Sequence, residues 1–529
     1  MSVVSRKGKI LAGLAAASCL AWTASAHAAW LEATTKHFVI YGDMSEAKLR
    51  QFADNMERFD GAMRQIVKTD ETKPVTVYVV EDMGEVQKLA GRRNVGGFYQ
   101  PSAQGNYMVI PLKAQGNNVV RNVARHVYFH EYAHHMTLST SGSFYPGWVT
   151  EGMAEFFGTA DINEDGSVTL GAAPSMRTYT IGNANRWTVE QLLTSDTRKL
   201  KPDETEQRYS RGWLMVHYLM LGGKRNGQLA QYVSLINKTV PPLEAGKKVF
   251  GDLKGLNKEI DRYVRSATLP GLTFTPDALK AGIDIKVRPV SPGMDRMMPT
   301  RIRSAIGVTK ETAPKVAEAG RHAATGFEND VWVQRSLAEM EYDANNLDAA
   351  EAAADRALAV EPANIMAMLY KGRAYARRAL ESKSAADWKT AQSWFLKANK
   401  ADPDHAMPFL LYYDTFTARG ITPSDGALTG LLRAIVLVPQ DQQINFRIGY
   451  AYVLRGDLKA ARATFAPVAF NAENGDDNKA RKLVDAIDAG KDAAAVQALA
   501  KELELDKIND FIPPEDKKDK DKDKAKEGK

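Results

Sequence analysis

The sequence contains almost no cysteine: Cys19 is the one thiol in 529 residues. A chain so poor in thiols cannot rely on a disulfide framework or on a cysteine nucleophile. Long apolar runs are lacking after residue 28, since no later segment reaches the roughly eighteen uninterrupted apolar residues of a membrane-spanning helix. No transmembrane segment is therefore expected in the mature chain. Basic patches interleaved with aromatic residues do not stand out either, so nucleic acid is not an expected partner.

Residues 1–28 differ in composition from the rest of the chain. Basic residues precede an apolar run from Ile10 to Trp22, and small residues follow it up to Ala28. This layout predicts a secretory signal peptide over residues 1–28, and hence a periplasmic or otherwise exported protein. The alternatives are a buried N-terminal helix and a lipoprotein signal in which Cys19 is the acylated residue.

The sequence as a whole has the balance of a soluble globular protein, since 44% of its residues are hydrophobic and 25% are charged. Its length exceeds that of one ordinary domain. We expect an N-terminal domain over residues 29–270, a connecting strand and helices over 271–325, and helical repeats over 326–490. Residues 491–529 are expected to hold a terminal helix and a disordered tail, because the stretch from Glu515 mixes charges of both signs and has no large apolar residue.

The pattern of residues 29–270 predicts an α+β domain with a small mixed sheet. His37–Tyr41 and Pro74–Val80 are rich in β-branched and aromatic residues and predict strands. Phe98-Tyr99 and Tyr107–Ile110 are bracketed by glycines and predict a hairpin. We expect Tyr107–Ile110 to form the sheet edge beside the active-site cleft, where an extended substrate could pair with it.

Helices are expected next, over residues 118–137, 148–158 and about 209–221, and a further strand over Ile283–Val290. The first helix carries His130-Glu131-Tyr132-Ala133-His134, an H-E-x-x-H sequence. Residues four apart on a helix project from one face, so His130 and His134 can bind one zinc ion.

Glu131 is the expected general base of this motif. It is rotated by about 100° from His130, close enough to act on a metal-bound water without being a ligand. Zinc lowers the pKa of such a water towards about 7, and a carboxylate can then take its proton as the water attacks a peptide carbonyl.

A catalytic zinc usually has three protein ligands and one open position. The next helix offers two acids on one face, Glu151 and Glu155, within the stretch that starts at Trp148. We assign Glu151 as the third ligand. Glu155 is expected to accept the remaining N–H of a ligand histidine and so fix its tautomer. Exposed helix faces also carry glutamates at this spacing, which is the alternative for both residues.

The pair of motifs, H-E-x-x-H followed by W-x-x-E-G-x-A-E-F, resembles the active site of the gluzincin metallopeptidases over roughly residues 120–220. The resemblance implies a peptidase MA-like domain with Zn2+ as cofactor and a peptide or protein as substrate. It also implies an oxyanion donor from a later helix, for which Tyr209 is the candidate. Simple packing is the alternative role for Tyr209.

Other histidines and aromatic residues surround these motifs. His126 lies one turn before His130 on the same face, where it could line the pocket or be a packed structural residue. His135 turns away from that face and is given no role. His217 and Tyr218 fit core packing better than catalysis.

Small and large residues recur within 326–490 at the spacing of a helix pair, which is similar to the tetratricopeptide repeat. Small residues let paired helices approach, and each pair needs a neighbour to cover its apolar face. An ordinary helical bundle is the alternative. The recurring positions are Leu337, Ala338, Ala350, Ala354, Ala357 and Pro362, then Gly372, Tyr375, Ala391, Phe395, Ala398 and Pro403, then Ala427, Leu431, Ala434 and Pro439, and finally Gly449, Tyr452, Ala461 and Phe465.

These features predict an exported zinc-dependent peptidase whose repeats recruit a protein partner or substrate. A different class remains open: a weak or inactive metallopeptidase-like scaffold that acts as a periplasmic protein-binding module. Zinc-dependent hydrolysis of a non-peptide bond is a third possibility, because a fold says little about the substrate.

Overall fold

The computed structural model describes residues 30–69, 73–90, 95–113, 123–139, 144–182, 186–195, 200–238, 240–265, 268–279, 283–469, 478–505 and 509–511. The predicted signal peptide, with Cys19, and the tail from Glu515 lie outside these residues. Within them, a mixed α/β part with a small sheet is followed by a long all-helical region. The prediction of an N-terminal part with both helices and strands, followed by an all-helical part, is thus confirmed.

The main sheet has six strands in the order β4-β5-β3-β2-β1-β9. The central strands β2, β3 and β5 are parallel, whereas β1, β4 and β9 are antiparallel to their neighbours. Alternate residues of β3 are buried against apolar residues of the first helix, which explains the β-branched pattern of that strand. The strands are β1 (Leu31–Thr34), β2 (Phe38–Gly42), β3 (Val75–Asp82), β4 (Phe98–Gln100), β5 (Tyr107–Lys113) and β9 (Lys286–Pro289).

The predicted hairpin is confirmed, but the prediction of which strand forms the edge is wrong. β4 pairs with β5 in antiparallel register, with Phe98 opposite Val109. β5 also pairs with β3 on its other side, so Tyr107–Ile110 is an interior segment and β4 is the edge. Periodicity reveals that a strand exists, whereas its place in the sheet depends on pairings between distant segments.

The predicted connection over residues 271–325 contains two strands, one in the main sheet and one in a second, smaller sheet. β9 lies inside the predicted strand Ile283–Val290 and pairs with β1. A second sheet contains β6 (Asp161–Ile162), β7 (Val168–Leu170) and β8 (Leu272–Phe274) in that order. The N-terminal part therefore extends structurally as far as Pro289.

The helices that matter for the site pack closely because two glycines face each other. A Cβ on Gly152 would lie 2.6 Å from the carbonyl oxygen of Gly212, and one on Gly212 would lie 2.9 Å from that of Trp148. Such contacts are too short for any side chain, so the two helices can approach this closely only with glycine at both positions. The helices of this part are α1 (Glu46–Arg64), α2 (Met83–Ala90), α3 (Val123–Leu138), α4 (Gly147–Gly158), α5 (Thr178–Gly182), α6 (Val189–Thr194), α7 (Pro202–Leu221), α8 (Gln228–Asn237), α9 (Pro242–Phe250) and α10 (Leu253–Tyr263).

The all-helical region consists of consecutive helices, each packed on the next. It begins before residue 326, because two helices precede the predicted repeats and pack against them. The helices are α11 (Pro292–Ala305), α12 (Ala313–Ala324), α13 (Val331–Asp343), α14 (Leu347–Val360), α15 (Ile365–Ser382), α16 (Ala385–Ala401), α17 (Ala406–Thr417), α18 (Asp425–Leu437), α19 (Gln442–Leu454), α20 (Leu458–Ala469), α21 (Lys479–Asp488) and α22 (Ala493–Glu502).

The recurring small residues lie where helices meet. A Cβ on Gly372 would come within 2.5 Å of Phe395, and one on Gly449 within 2.6 Å of Phe465. The same glycine–phenylalanine contact thus joins α15 to α16 and α19 to α20, which explains why both residue types recur in the sequence. Among the described residues, none of the helices combines the length and the apolar character that crossing a bilayer requires.

Candidate metal centre

Three side chains from α3 and α4 converge on one point. The Nε2 atoms of His130 and His134 are 3.1 Å apart. The Oε2 atom of Glu151 lies 3.5 Å from the first and 3.7 Å from the second. Ligand atoms bound about 2.0–2.1 Å from a tetrahedral zinc lie roughly 3.3 Å from one another. The spacing of the three atoms therefore suits a single divalent cation, and the three residues form one candidate metal cluster.

The Oε2 atom of Glu151 supports this assignment independently. It is buried and has no hydrogen bond of good geometry to any described residue, and the two imidazole nitrogens are its nearest charged neighbours. A buried carboxylate oxygen without a partner is costly, so such atoms generally face a cation. The donor set, two imidazoles and one carboxylate, is one of the sets that hold zinc at catalytic sites.

The local sequence explains the convergence. His130 and His134 are one helical turn apart on α3, and α4 follows α3 closely in the chain. Tyr132 anchors α3 from its opposite side, because its hydroxyl donates to Asp60 of α1 at 2.7 Å. Asp60 also pairs with Arg64 at 2.7 Å. The carboxylate of Asp60 thus has both a hydrogen-bond donor and a cation as partners, and its bond to Tyr132 holds α3 in place.

The pKa values of the cluster reflect a site organised around positive charge. Burial by itself would raise the pKa of Glu151, but His134 and His130 outweigh it and lower this pKa to about 2. Burial would lower the pKa of His130, yet the adjacent Glu151 and the charges of Glu155 and Glu131 raise it to about 9. Without a metal ion, a proton on His130 supplies positive charge beside the carboxylates.

Zinc and protons are therefore expected to compete for His130. Zinc binds the neutral imidazole, and the pKa of His130 is about 9. At any pH below about 9, zinc must therefore displace a proton from His130. We expect the apparent zinc association constant to rise by about tenfold per pH unit from neutral pH to about pH 9, and to level off above it. Competition with a chromophoric chelator over this range measures the slope. A flat profile would contradict the raised pKa of His130 in the metal-free site.

Glu155 lies on the far side of His130, where the sequence predicts it. Its Oε1 atom is 3.5 Å from the Nδ1 atom of His130, and its Oε2 atom is 3.2 Å from the Nε2 atom of His126. Arg177 approaches Oε1 at 3.2 Å. Burial would raise the pKa of Glu155, but the contact with His126 and the charge of His130 lower it to about 2. Glu155 is thus ionised and placed to orient His130. His126 contacts it instead of lining an open pocket.

Glu131 lies beside the cluster and is held by the sheet edge. Its Oε2 atom accepts a hydrogen bond of 3.0 Å from the backbone N–H of Tyr99 in β4. It does not belong to the three residues whose ligand atoms converge. The carboxylate therefore has a fixed position next to the metal cluster, as a general base requires. The sequence does not reveal the contribution of Tyr99, because a backbone donor leaves no residue-type signal.

Tyr209 of α7 also reaches the cluster. Its ring is stacked parallel to that of His130, with the ring centroids 6.0 Å apart. Burial raises the pKa of Tyr209 well above its usual value, and the nearby Glu151 adds to the effect. The hydroxyl consequently keeps its proton and can donate a hydrogen bond near the metal cluster. α7 begins at Pro202, earlier than the predicted start at residue 209, because Pro202 suits the first helical position.

Arg208 is the main site residue that the sequence does not indicate. It is buried, and its Nε and Nη1 atoms have no hydrogen-bond partner among the described residues. Its charge contributes to lowering the pKa of Glu151, so it is electrostatically part of the site. An arginine on a helix is normally a surface residue, which is why only the tertiary structure identifies it.

The remaining aromatic and histidine residues have structural contacts. His135 is buried, and its Nδ1 atom is 2.9 Å from the hydroxyl of Tyr99, away from the metal cluster. His217 contacts the carbonyl oxygen of Gly171 and the hydroxyl of Tyr263, each at 2.8 Å. Tyr218 donates to Glu259 at 2.7 Å.

Comparison with known proteins finds a similarity between the segment that carries this site and a family without a defined function. A family model described as "Protein of unknown function (DUF1570)" matches residues 122–244. The matched segment includes α3, α4 and α7, and with them His130, His134, Glu151 and Tyr209. A search among curated proteins finds no match. The chain is thus similar to this family over its metal cluster, and the chemistry has to be inferred from the site itself.

Proposed function

We propose that this protein is an exported zinc-dependent peptidase. The observation that carries the proposal is the convergence of His130, His134 and the buried Oε2 atom of Glu151, next to the carboxylate of Glu131. A purely structural zinc site has four protein ligands and no need of a general base, whereas three candidate ligands and a neighbouring carboxylate support a catalytic site. In this proposal the α/β part is a gluzincin-like domain, and the helices from α13 onwards are tetratricopeptide-like repeats that recruit a protein partner or substrate.

The side chains divide the work of peptide-bond hydrolysis. Zinc, when bound, would supply a Lewis acid that polarises the peptide carbonyl and acidifies water. Glu131 takes a proton from the attacking water and returns it to the leaving amine. Tyr209 donates its hydroxyl hydrogen to the oxyanion that develops on the carbonyl oxygen, and the charge of Arg208 favours the same developing charge. Glu155 holds His130 in the tautomer whose Nε2 atom faces the cluster.

The edge strand β4 borders this machinery. Because β4 pairs with β5 on one side only, its other side faces α3 and Glu131. An extended peptide alongside β4 would place its backbone next to the general base. Tyr107–Ile110 is an interior segment and cannot take the substrate-pairing role expected for it.

Tyr209→Phe is expected to lower kcat about 100-fold or more without loss of zinc. The substitution removes one hydroxyl, and a single oxyanion donor typically contributes about 10²–10³ in kcat. The ring, and therefore its stacking on His130, is retained. Kinetics on a peptide substrate combined with metal analysis would check this. Unchanged kcat would reduce Tyr209 to a packing residue.

The test of the whole proposal is hydrolysis of an unfolded protein such as casein by the purified, processed chain. We expect cleavage that stops when a chelator removes the metal and returns when zinc is added back. Magnesium, which prefers oxygen ligands, should not restore it. Casein cleavage that persists in the metal-free protein, or none in the zinc-loaded protein, would rule out this function.

A further inference from the structure

A short segment near the C-terminus, Asn509–Phe511, is seated among the helices of the all-helical region. The side chain of Phe511 is completely buried. Its ring is stacked on Phe395 at a centroid distance of 6.1 Å and meets Trp388 edge-on at 5.8 Å, both on α16. A phenylalanine so enclosed occupies a pocket that the helices form around it.

Polar groups from three helices bind the backbone and carboxylate next to this ring. Arg447 of α19 contacts the carboxylate of Asp510 at 2.9 Å, and Asp414 of α17 accepts the N–H of Asp510 at 2.9 Å. Arg377 and Arg373 of α15 donate to the carbonyl oxygens of Phe511 and Asp510, at 2.8 and 3.1 Å. Each of these contacts would be available to any extended Asp-Phe segment, because none depends on covalent connection to α22.

The receptor side is held in place by its own contacts. The guanidinium groups of Arg373 and Arg377 stack on the ring of Tyr342, at 4.7 and 3.6 Å from its centroid. Arg447 forms a buried ion pair with Asp414 at 2.7 Å. These contacts lie within α13, α15, α17 and α19 and do not involve the C-terminal segment. Groups that are ordered before binding lose less entropy when a ligand arrives, which favours recognition of a short motif.

The same surface also binds the turn between β4 and β5. Asp441 accepts the backbone N–H of Ala103 at 2.9 Å, and Gln440 donates to Asn106 at 2.9 Å. Ala103 and Phe511 belong to one apolar cluster. The pocket is thus adjacent to the turn that leads back to the active-site edge strand.

We propose that this pocket is a recognition site for peptides with an Asp-Phe motif, and that Asn509–Phe511 fills it as an intramolecular ligand. A second polypeptide carrying the motif enters when the attached segment leaves. Arg447, which contacts the carboxylate of Asp510, favours an acidic residue directly before the aromatic one. The proposal does not depend on peptidase activity, so either can fail without the other.

An attached segment should block the pocket strongly. Its effective concentration is of the order of 1 mM, so a free peptide with an intrinsic Kd of ~10 µM would bind the intact chain about 100-fold more weakly. Removing both Asp510 and Phe511 side chains in the full chain should restore tight binding.

The experiment measures fluorescence anisotropy of a labelled peptide, LDKINDFIPPED, which is residues 505–516. We expect saturable binding to the full chain carrying Asp510→Ala and Phe511→Ala, and about 100-fold weaker binding to the wild type. A matched control, Lys501→Ala with Glu502→Ala on the exposed face of α22, should behave as the wild type. A peptide with alanine at the Asp and Phe positions should bind neither chain.

Two outcomes would overturn the proposal: a folded double variant that does not bind the peptide, or equal binding to the variant and the wild type. If the double variant loses its folded circular dichroism spectrum, Asp510→Asn provides the second test. It removes only the ion pair with Arg447 and leaves Phe511 in place. We expect it to bind the labelled peptide more tightly than the wild type does, and unchanged binding would reject the motif.

Discussion

Replacing Glu131 with glutamine is expected to abolish casein hydrolysis while about one zinc ion per chain remains bound. Glutamine has the shape of glutamate and can still accept the N–H of Tyr99, but it cannot take a proton from water. General-base catalysis contributes about 10²–10⁴ to the rate, so kcat should fall by that factor. Steady-state kinetics with metal analysis on the same preparation would measure both quantities.

The matched control is Glu164→Gln, an exposed glutamate in the turn between β6 and β7. Glu164 is not one of the residues of the metal cluster. The same chemical change at this position should therefore leave kcat and zinc content unchanged. If Glu131→Gln cleaves casein as fast as the wild type, Glu131 is not the base and the peptidase mechanism fails. A binding scaffold, by contrast, would retain its partners in both variants.

The second large effect is expected for Glu151→Ala, which should weaken zinc binding by more than about 100-fold. Even residues that only orient a ligand contribute about 10–100-fold to metal affinity, and Glu151 is one of the three converging groups. Its removal also takes away the carboxylate that most strongly favours a cation between His130 and His134. Titration of the metal-free protein with zinc against a competing chelator gives the affinity.

Glu155→Gln separates the ligand role from the orienting role. Glu155 lies on the same helix face as Glu151 and contacts the Nδ1 atom of His130, whereas Glu151 faces its Nε2 atom. We expect a loss of zinc affinity of about 10–100-fold for Glu155→Gln, smaller than for Glu151→Ala. Wild-type zinc affinity in Glu151→Ala would mean that the carboxylate is not a ligand, and the three-ligand centre would have to be abandoned.

Arg208 and the Tyr99 N–H illustrate which parts of a site escape prediction. Arg208 is a buried guanidinium whose Nε and Nη1 atoms lack hydrogen-bond partners among the described residues, and the Tyr99 N–H is a main-chain donor. Neither residue type at its position is unusual, so composition and spacing contain no signal for them. Gly152 is an intermediate case. Its place in the motif is visible in the sequence, but its contact with Gly212 is visible only when α4 and α7 are packed.

Local periodicity determined the parts of this protein that lie within one helix or one strand. The four-residue spacing of His130 and His134, and of Glu151 and Glu155, places each pair on one helix face, whatever the rest of the chain does. The same reasoning predicts β3, the β4–β5 hairpin and the helical region, because side-chain direction follows directly from backbone geometry.

Tertiary structure alone decided how these local units meet. Contacts between segments distant in the chain determine three features. They are the 3.5 Å distance between Glu151 and His130, the position of β4 at the sheet edge and the burial of Phe511 among the helices. The shifted pKa values also depend on such contacts, because they arise from burial and from charges on other elements. Such contacts depend on the packing of the whole fold, and a short stretch of sequence does not encode its distant neighbours.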